Sequence, residues 1–443
     1  MTDMKRTTMW VAVALLTATV MTGCSKDNDS ETVIPEEPSP EPEPSSPEDG
    51  SRTFVQLTRA EHELVAGSND FALNLFRLVE KKNASEIQPK SLILSPISIT
   101  YALGLLNNGA AGETQQQICN VLGFGDTGAD GINDFCQKML TEAPALDKQT
   151  KVMISNAIFM NKDYQLKPAF VETGKTYYDA ELETRDFHDG KTLDVINQWA
   201  SDHTENMIEK VLDDRSFDPY AVSYLLNAIY FKGTWAAKFD PELTENEVFE
   251  HAGSTKELLT LPTMRISSMF QYTENDLCQA IKLPYGNGSY AMTILLPQKG
   301  KNISDVLASL TGDTWQQQYE NPSELVVAYL KLPRFETNTS LPLTPLMGEL
   351  GMPKAFNRQT AEFPDFCNVP TFIQDMTQVA RIKLNEEGTE AAAVTTITVG
   401  ANSIESTPAP RFVEFYATRP FLYVISEQST GAIFFIGEFT GYN

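Results

Sequence analysis

Apolar and polar positions alternate with different periods along the chain, and the periods predict the elements. From Asn69 to Val79, Phe71, Leu75, Leu78 and Val79 recur at helical spacing on one face, with Ser68 or Asn69 as the expected cap. Leu92-Ile-Leu reads as a short apolar strand ending at Ser95. Pro96 then takes a first helical position, and the apolar run to Leu106 predicts a buried helix. Gly109 and Gly112 break that helix, and Thr114 is the expected cap of the next, which carries Ile118, Val121 and Leu122. Near the C-terminal end the period becomes two. Thr389, Ala391, Ala393, Thr395, Ile397 and Val399 share one face, and Glu390, Ala392, Val394, Thr396 and Thr398 the other. This run of small and β-branched residues follows a strand-like segment, Ala380–Leu384, and stops at the turn signals Gly400-Ala-Asn402. Side chains this small would let a strand slide between two existing strands. By composition alone the same run also suits an Ala/Thr-rich linker or an edge strand.

The N-terminal pattern is of another kind. Lys5 and Arg6 precede an apolar run from Met9 to Val20, too short for a span of roughly 20 residues and ordered like a secretory signal. Thr22 and Gly23 before Cys24 resemble a bacterial lipobox, which implies cleavage before Cys24 and lipidation of its thiol. The Pro/Glu-rich stretch that follows has too few apolar groups to fold and favours extended chain. The expected organisation is a lipoprotein signal peptide over 1–23, an acidic Pro-rich tether over 24–53 and one folded domain over 54–443. The expected location is the outer membrane or cell surface, with the membrane engaged through the lipid alone.

Charge and candidate chemistry narrow the function. A formal net charge of −25 argues against nucleic acid and anionic membranes as partners. Cys119, Cys136, Cys278 and Cys367 show no CxxC spacing and no neighbouring histidine, so no metal is expected, and they read as buried small hydrophobes. His62, His188, His203 and His251 have no partner at ligand spacing and read as solvated or capping residues. No GxSxG elbow surrounds any serine, Gly109-Ala-Ala-Gly-Glu-Thr lacks the lysine of a phosphate loop, and the acidic pairs Asp213-Asp214 and Glu386-Glu387 read as solvated faces. No cofactor and no enzymatic activity are expected.

The order of several blocks carries more. Leu92 to Phe124 (LILSPISITYALGLLNNGAAGETQQQICNVLGF) is followed by Ile154–Phe159, Leu225–Trp235, Ala280–Tyr285, Ala291–Pro297, Leu332–Phe335, Arg419–Ile425 and Gly431–Gly437. Together these resemble the serpins, in family order, from about residue 54 to the end of the chain. The resemblance implies an α+β serpin fold of mixed sheets with about nine helices and an exposed reactive-centre loop. It also implies a suicide inhibitor of serine, or cysteine, endopeptidases, or else a non-inhibitory serpin acting as a carrier or scaffold. Glu386, Glu387, Gly388, Thr389, Glu390, Ala391, Ala392 and Ala393 then become the hinge of that loop. Ser95, Ser98 and Asn227 become a polar cluster on which opening of the main sheet depends, with Gln378 where the family usually has histidine, and Trp235 packs under the top of that sheet or simply fills the core. Counting along the hinge from Thr389 places the reactive bond at Asn402–Ser403, and counting back from Arg419-Pro420 points nearer Ser406. No Lys or Arg lies between Lys383 and Arg411, so the expected target has a small or apolar pocket, elastase- or subtilisin-like rather than trypsin-like. A monomer is expected.

Overall fold

Thr58 sets the start of the first helix. Its hydroxyl accepts from Glu61 N, and the Glu61 carboxylate accepts from Thr58 N, a capping box that opens α1 (Arg59–Asn83). The helix therefore begins a full ten residues before the cap expected at Ser68 or Asn69, because its first turns are mostly polar and hide the period. Ser68 and Asn69 are instead buried in mid-helix. Ser68 Oγ lies 3.3 Å from Thr100 Oγ1, and the Asn69 amide bonds Gly431 O and Ile433 N at 2.9 and 3.0 Å. The computed structural model describes residues 52–125, 127–251, 258–389 and 410–442. The signal, Cys24, almost all of the tether, hinge residues Glu390, Ala391, Ala392 and Ala393, and the bond Asn402–Ser403 lie outside these. Contacts divide the chain at Glu48, and every described residue belongs to the second unit.

β1 (Leu92–Leu94) and α2 (Pro96–Asn107) follow as the pattern predicts, and every residue of α2 is buried. A helix apolar on all sides belongs at the centre of a domain. α3 (Gly112–Val121) starts two residues before the expected cap, and Thr114 sits inside it, its hydroxyl accepting from Glu362 N at 3.0 Å. Then come α4 (Ala129–Glu142), β2 (Thr150–Asn161), α5 (Pro168–Tyr178), β3 (Ala180–Arg185) and α6 (Thr192–Asp202). β4 (Ser223–Thr234), β5 (Glu245–Phe249), β6 (Leu259–Glu274), β7 (Cys278–Tyr285) and β8 (Tyr290–Pro297) form the middle of the chain. Helices α7 (Ile303–Ser309) and α8 (Gly312–Thr314) lead to β9 (Glu324–Pro333), β10 (Phe335–Pro342) and α9 (Thr344–Leu350). The chain closes with β11 (Thr377–Asn385), a two-residue β12 (Gly388–Thr389), β13 (Phe412–Tyr416), β14 (Phe421–Glu427) and β15 (Ile433–Phe439).

Two sheets organise these strands. The nine-stranded sheet runs β1-β15-β14-β8-β7-β6-β9-β13, with β5 beside β6. β8, β14 and β15 are buried along their whole length, as continuous apolar runs demand. The six-stranded sheet runs β10-β11-β12-β4-β2-β3. α2 packs between the two sheets, touching β15 on one side and β4 on the other. The four cysteines of the folded unit are buried free thiols, and His203 caps the end of α6.

Candidate functional site

β12 is only two residues long, yet it has a neighbour on each side. Gly388 and Thr389 pair antiparallel with Asn385 and Leu384 of β11, and with Thr234 and Gly233 of β4. Below this stub, among the described residues, no register joins β4 to β11 directly. A cavity of about 180 Å³ occupies the lower part of that interval, lined by Leu225 and Asn227 of β4, Gln378 and Val379 of β11, Ser98 of α2 and Trp199 of α6. Among the described residues, the six-stranded sheet thus has an interval, or slot, between β4 and β11 that β12 bridges at the top and no strand bridges below.

The filled end is heavily fastened. Glu386 and Glu387 form the turn between β11 and β12, and their carbonyl oxygens accept from Phe239 N at 3.2 Å and Trp235 N at 2.8 Å. The Glu386 carboxylate is buried, where it accepts from Thr244 Oγ1 at 2.6 Å and pairs with the Arg334 guanidinium. Burial alone would raise its pKa, but the Arg334 and Thr244 hydrogen bonds outweigh that and hold it below the usual carboxylate range. Glu387 pairs with Lys238 at 2.9 Å. These two acids, read from sequence as solvated, are therefore structural partners of distant residues. Trp235 is buried beneath them: its indole N–H donates to Asn385 O at 3.0 Å, and its ring stacks on Tyr285 at 4.4 Å. Thr389 is 1% exposed, and its hydroxyl meets Tyr285 OH at 2.7 Å.

Lower in the slot the structure brings the sequence-selected polar residues into two groups rather than one. Gln378 makes two bonds to the backbone of Ser95, accepting from its N–H at 3.1 Å and donating to its carbonyl at 2.8 Å, while Ser95 Oγ donates to Phe434 O. Both groups of the amide are used, and neither bond depends on pH. Separately, Ser98 Oγ donates to Asn227 Oδ1, Asn227 donates to Asn156 Oδ1 at 2.7 Å, and Asn156 donates to Tyr178 O at 2.9 Å. Asn156 was not singled out from sequence. The signal was available, since Asn-Ala-Ile occurs at 156–158 and again at 227–229, and the β2–β4 register sets Asn156 opposite Asn227. Arg334, Thr244, Lys238 and Tyr285 were likewise missed, because each meets the hinge only through the tertiary fold. Among the described residues no cluster of acidic, His or Cys side chains is placed to hold a metal.

The comparisons with known proteins agree with this architecture. A family model described as Serpin (serine protease inhibitor) matches residues 66–441. Serpin B6 of Macaca fascicularis is 30% identical over 384 residues, which cover 85% of this chain and 99% of that relative. A thermophilic serpin, tengpin, in its native state is similar with a TM-score of 0.74 at 24% identity, covering 88% of this chain and 96% of that one. Thyroxine-binding globulin in complex with thyroxine is similar with a TM-score of 0.72 at 25% identity, covering 84% and 98%.

Proposed function

The chain belongs to the serpin family, and from that premise we propose that it is a suicide inhibitor of serine endopeptidases, with cysteine endopeptidases as a second target class. One observation carries the reading: Gly388 and Thr389 of β12 are lodged between β4 and β11, above an interval where no other strand joins the two among the described residues. In this reading Glu386 to Thr389 are the fixed end of the hinge, and Glu390 with Ala391 to Ala393 are its moving part. The target protease attacks Asn402–Ser403. Its nucleophile forms an ester, or thioester, with the Asn402 carbonyl carbon, and the Ser403 nitrogen leaves with a proton. The freed segment then extends β12 down the slot. From Glu390 to Val399 at ~3.3 Å per residue it adds roughly 33 Å of strand and the backbone hydrogen bonds that go with it. The tethered acyl-enzyme is pulled out of register with its own base and oxyanion hole, where ~1 Å of misplacement costs on the order of a hundredfold in rate. Deacylation stalls. Ser98 with Asn227, and Ser95 with Gln378, hold the slot's walls to α2 until insertion parts them.

The absence of Lys and Arg from 384 to 410 favours an elastase- or subtilisin-like target over a trypsin-like one. The lipobox-like segment supports anchoring of the mature chain at Cys24, with the acidic stretch as a tether at the outer membrane or cell surface. The alternative, a non-inhibitory carrier, draws on the similarity to thyroxine-binding globulin. The small hinge residues weigh against it, since a carrier needs no insertable segment.

Incubating the folded domain with a panel of proteases and running denaturing gels separates the two. A complex that survives SDS is the expected result, and clean cleavage by every protease with no complex would sink the proposal. Thr389→Arg places a long cation in a buried position. It should convert the inhibitor into a substrate, cleaved with at least tenfold less complex, since burying an unpaired charge costs well over the 1.4 kcal/mol that a factor of ten represents.

A further inference from the structure

Tyr285 closes β7 in the nine-stranded sheet, yet its hydroxyl ends 2.7 Å from Thr389 Oγ1 in the six-stranded one. Both residues are buried, and among the described residues each hydroxyl has the other as its hydrogen-bond partner. The phenol is held from every side. Its ring stacks on Trp235 with an interplanar angle of 11° and meets the edge of Phe231 at 5.1 Å. Gly233 leaves room for it, since a Cβ there would lie 2.6 Å from the ring. The backbone on both sides is pinned to the end of β4 and the residues after it: Gly286 N donates to Thr234 O at 2.8 Å, and Ala236 N donates to Pro284 O at 2.9 Å. Burial pushes the phenol pKa well up, so the hydroxyl keeps its proton and remains able to donate. Tyr285 is thus a rigid post standing at the mouth of the slot, while Thr389 lies on the segment that must extend.

Trapping a protease is a race between insertion and deacylation, and the first rung of a new strand is the slow one, because it orders chain before neighbouring rungs reward it. A buried hydroxyl also needs a partner to stay buried. We infer that Tyr285 is a positioning residue for the hinge, whose hydroxyl holds Thr389 inside the sheet before cleavage so that insertion propagates from a rung already laid. This rests on the inhibitory reading above for its consequence, but the placement of Thr389 does not.

The test uses Tyr285→Phe, Thr389→Val and the double variant, which alter one or both hydroxyls while keeping ring and shape. Two quantities are read: amide hydrogen exchange at Gly388 and Thr389 without any protease, and the moles of inhibitor consumed per mole of protease trapped. Each single variant leaves the other hydroxyl buried and unpaired. Protection should fall on the order of tenfold and the stoichiometry should rise severalfold. The double variant leaves no orphan and should recover part of both losses, stopping short of wild type because the bond that holds Thr389 is gone. A purely structural contribution from Tyr285 predicts the opposite, with the double variant at least as impaired as the worse single. Wild-type exchange in Tyr285→Phe, or a double variant no better than the singles, would overturn the assignment. If the wild-type chain traps no protease, the inhibitory proposal fails, and the exchange measurement still decides the role of Tyr285.

Discussion

At Gly388 the backbone has φ +150°, and a Cβ built there would lie 2.0 Å from the Gly233 carbonyl oxygen. Two requirements coincide at this position: a conformation that L side chains rarely adopt, and a backbone approach that leaves no space for one. Gly388→Ala should therefore expel β12 from the sheet at a cost of at least ~1–3 kcal/mol, seen as a lower urea midpoint and as new proteolysis at the hinge; an unchanged midpoint would show that the stub is not held as described. Gln378 carries a different burden. Its side chain satisfies Ser95 N, and Gln378→Leu would leave that buried N–H without a partner. The expected loss is ~1–3 kcal/mol in a chemical denaturation curve, and Gln378→Glu could both accept and donate only while its carboxyl is protonated. The missing Asn156 belongs to this scale too. An asparagine in an apolar strand looks like a tolerated polar residue until its cross-strand partner is known to be another asparagine.

The slot between β4 and β11 is a property of elements. Among the described residues, β4 has a long partner in β2 on one side, and on the other the two residues of β12. β11 is likewise paired along its length with β10 and capped by the same stub. Between these strands lies a partly apolar cavity, and strands that face one another without a register are where an extended peptide can add as a strand. A synthetic peptide with the sequence of residues 389–399 should therefore occupy the slot, raise the melting temperature by mass action and abolish SDS-stable complex formation. The same peptide with arginine at its first position should do neither. A wild-type peptide that binds without affecting trapping would place the insertion site elsewhere. The sequence showed the period-two run beyond Thr389 and the strand before it, but not the slot. An alternating pattern specifies which side chains share a face and is silent about which strand lies beside it.

Across the whole molecule, buried acids of opposite behaviour set the pH response. Burial raises Glu320 to about 7 and Glu438 to about 8, against hydrogen bonding or attraction from Asn83 and Lys282 that is too weak to compensate. Both are raised above their unfolded value near 4.3, so the stability they contribute is full below that value and is lost as pH rises through 7 and 8. Glu386, held low, contributes stability that is present above the unfolded value and lost only in stronger acid. For these three acids the signs favour mildly acidic over neutral and alkaline pH. Repulsion within a chain of net charge −25 at pH 7 acts in the same direction as Glu320 and Glu438. Thermal midpoints should accordingly be a few degrees higher at pH 5 than at pH 8. The Glu320→Gln/Glu438→Gln variant should flatten that slope; a slope unchanged in the variant would assign it to surface charge alone.

Sequence by itself determined what depends on neighbours along the chain: the strand and helix around Ser95, the period-two run beyond Thr389, the β11 segment, the lipobox-like N-terminal stretch, and the ordered blocks that identify the family. The tertiary structure alone decided which of these residues meet. Tyr285 and Thr389 are 104 positions apart, Arg334 and Glu386 are 52 apart, and Ser95 and Gln378 are 283 apart. Whether such pairs form depends on strand order and register across the fold, which nearest-neighbour propensity does not encode. The early start of α1 at Thr58 is the converse case, a local capping signal present in the sequence but masked by polar first turns. The hinge was legible as a stretch of small residues. What holds its first two residues in place was legible only locally: neighbouring Asn385 accepts from Glu387 N, but Arg334, Thr244 and Lys238 come from elsewhere in the chain.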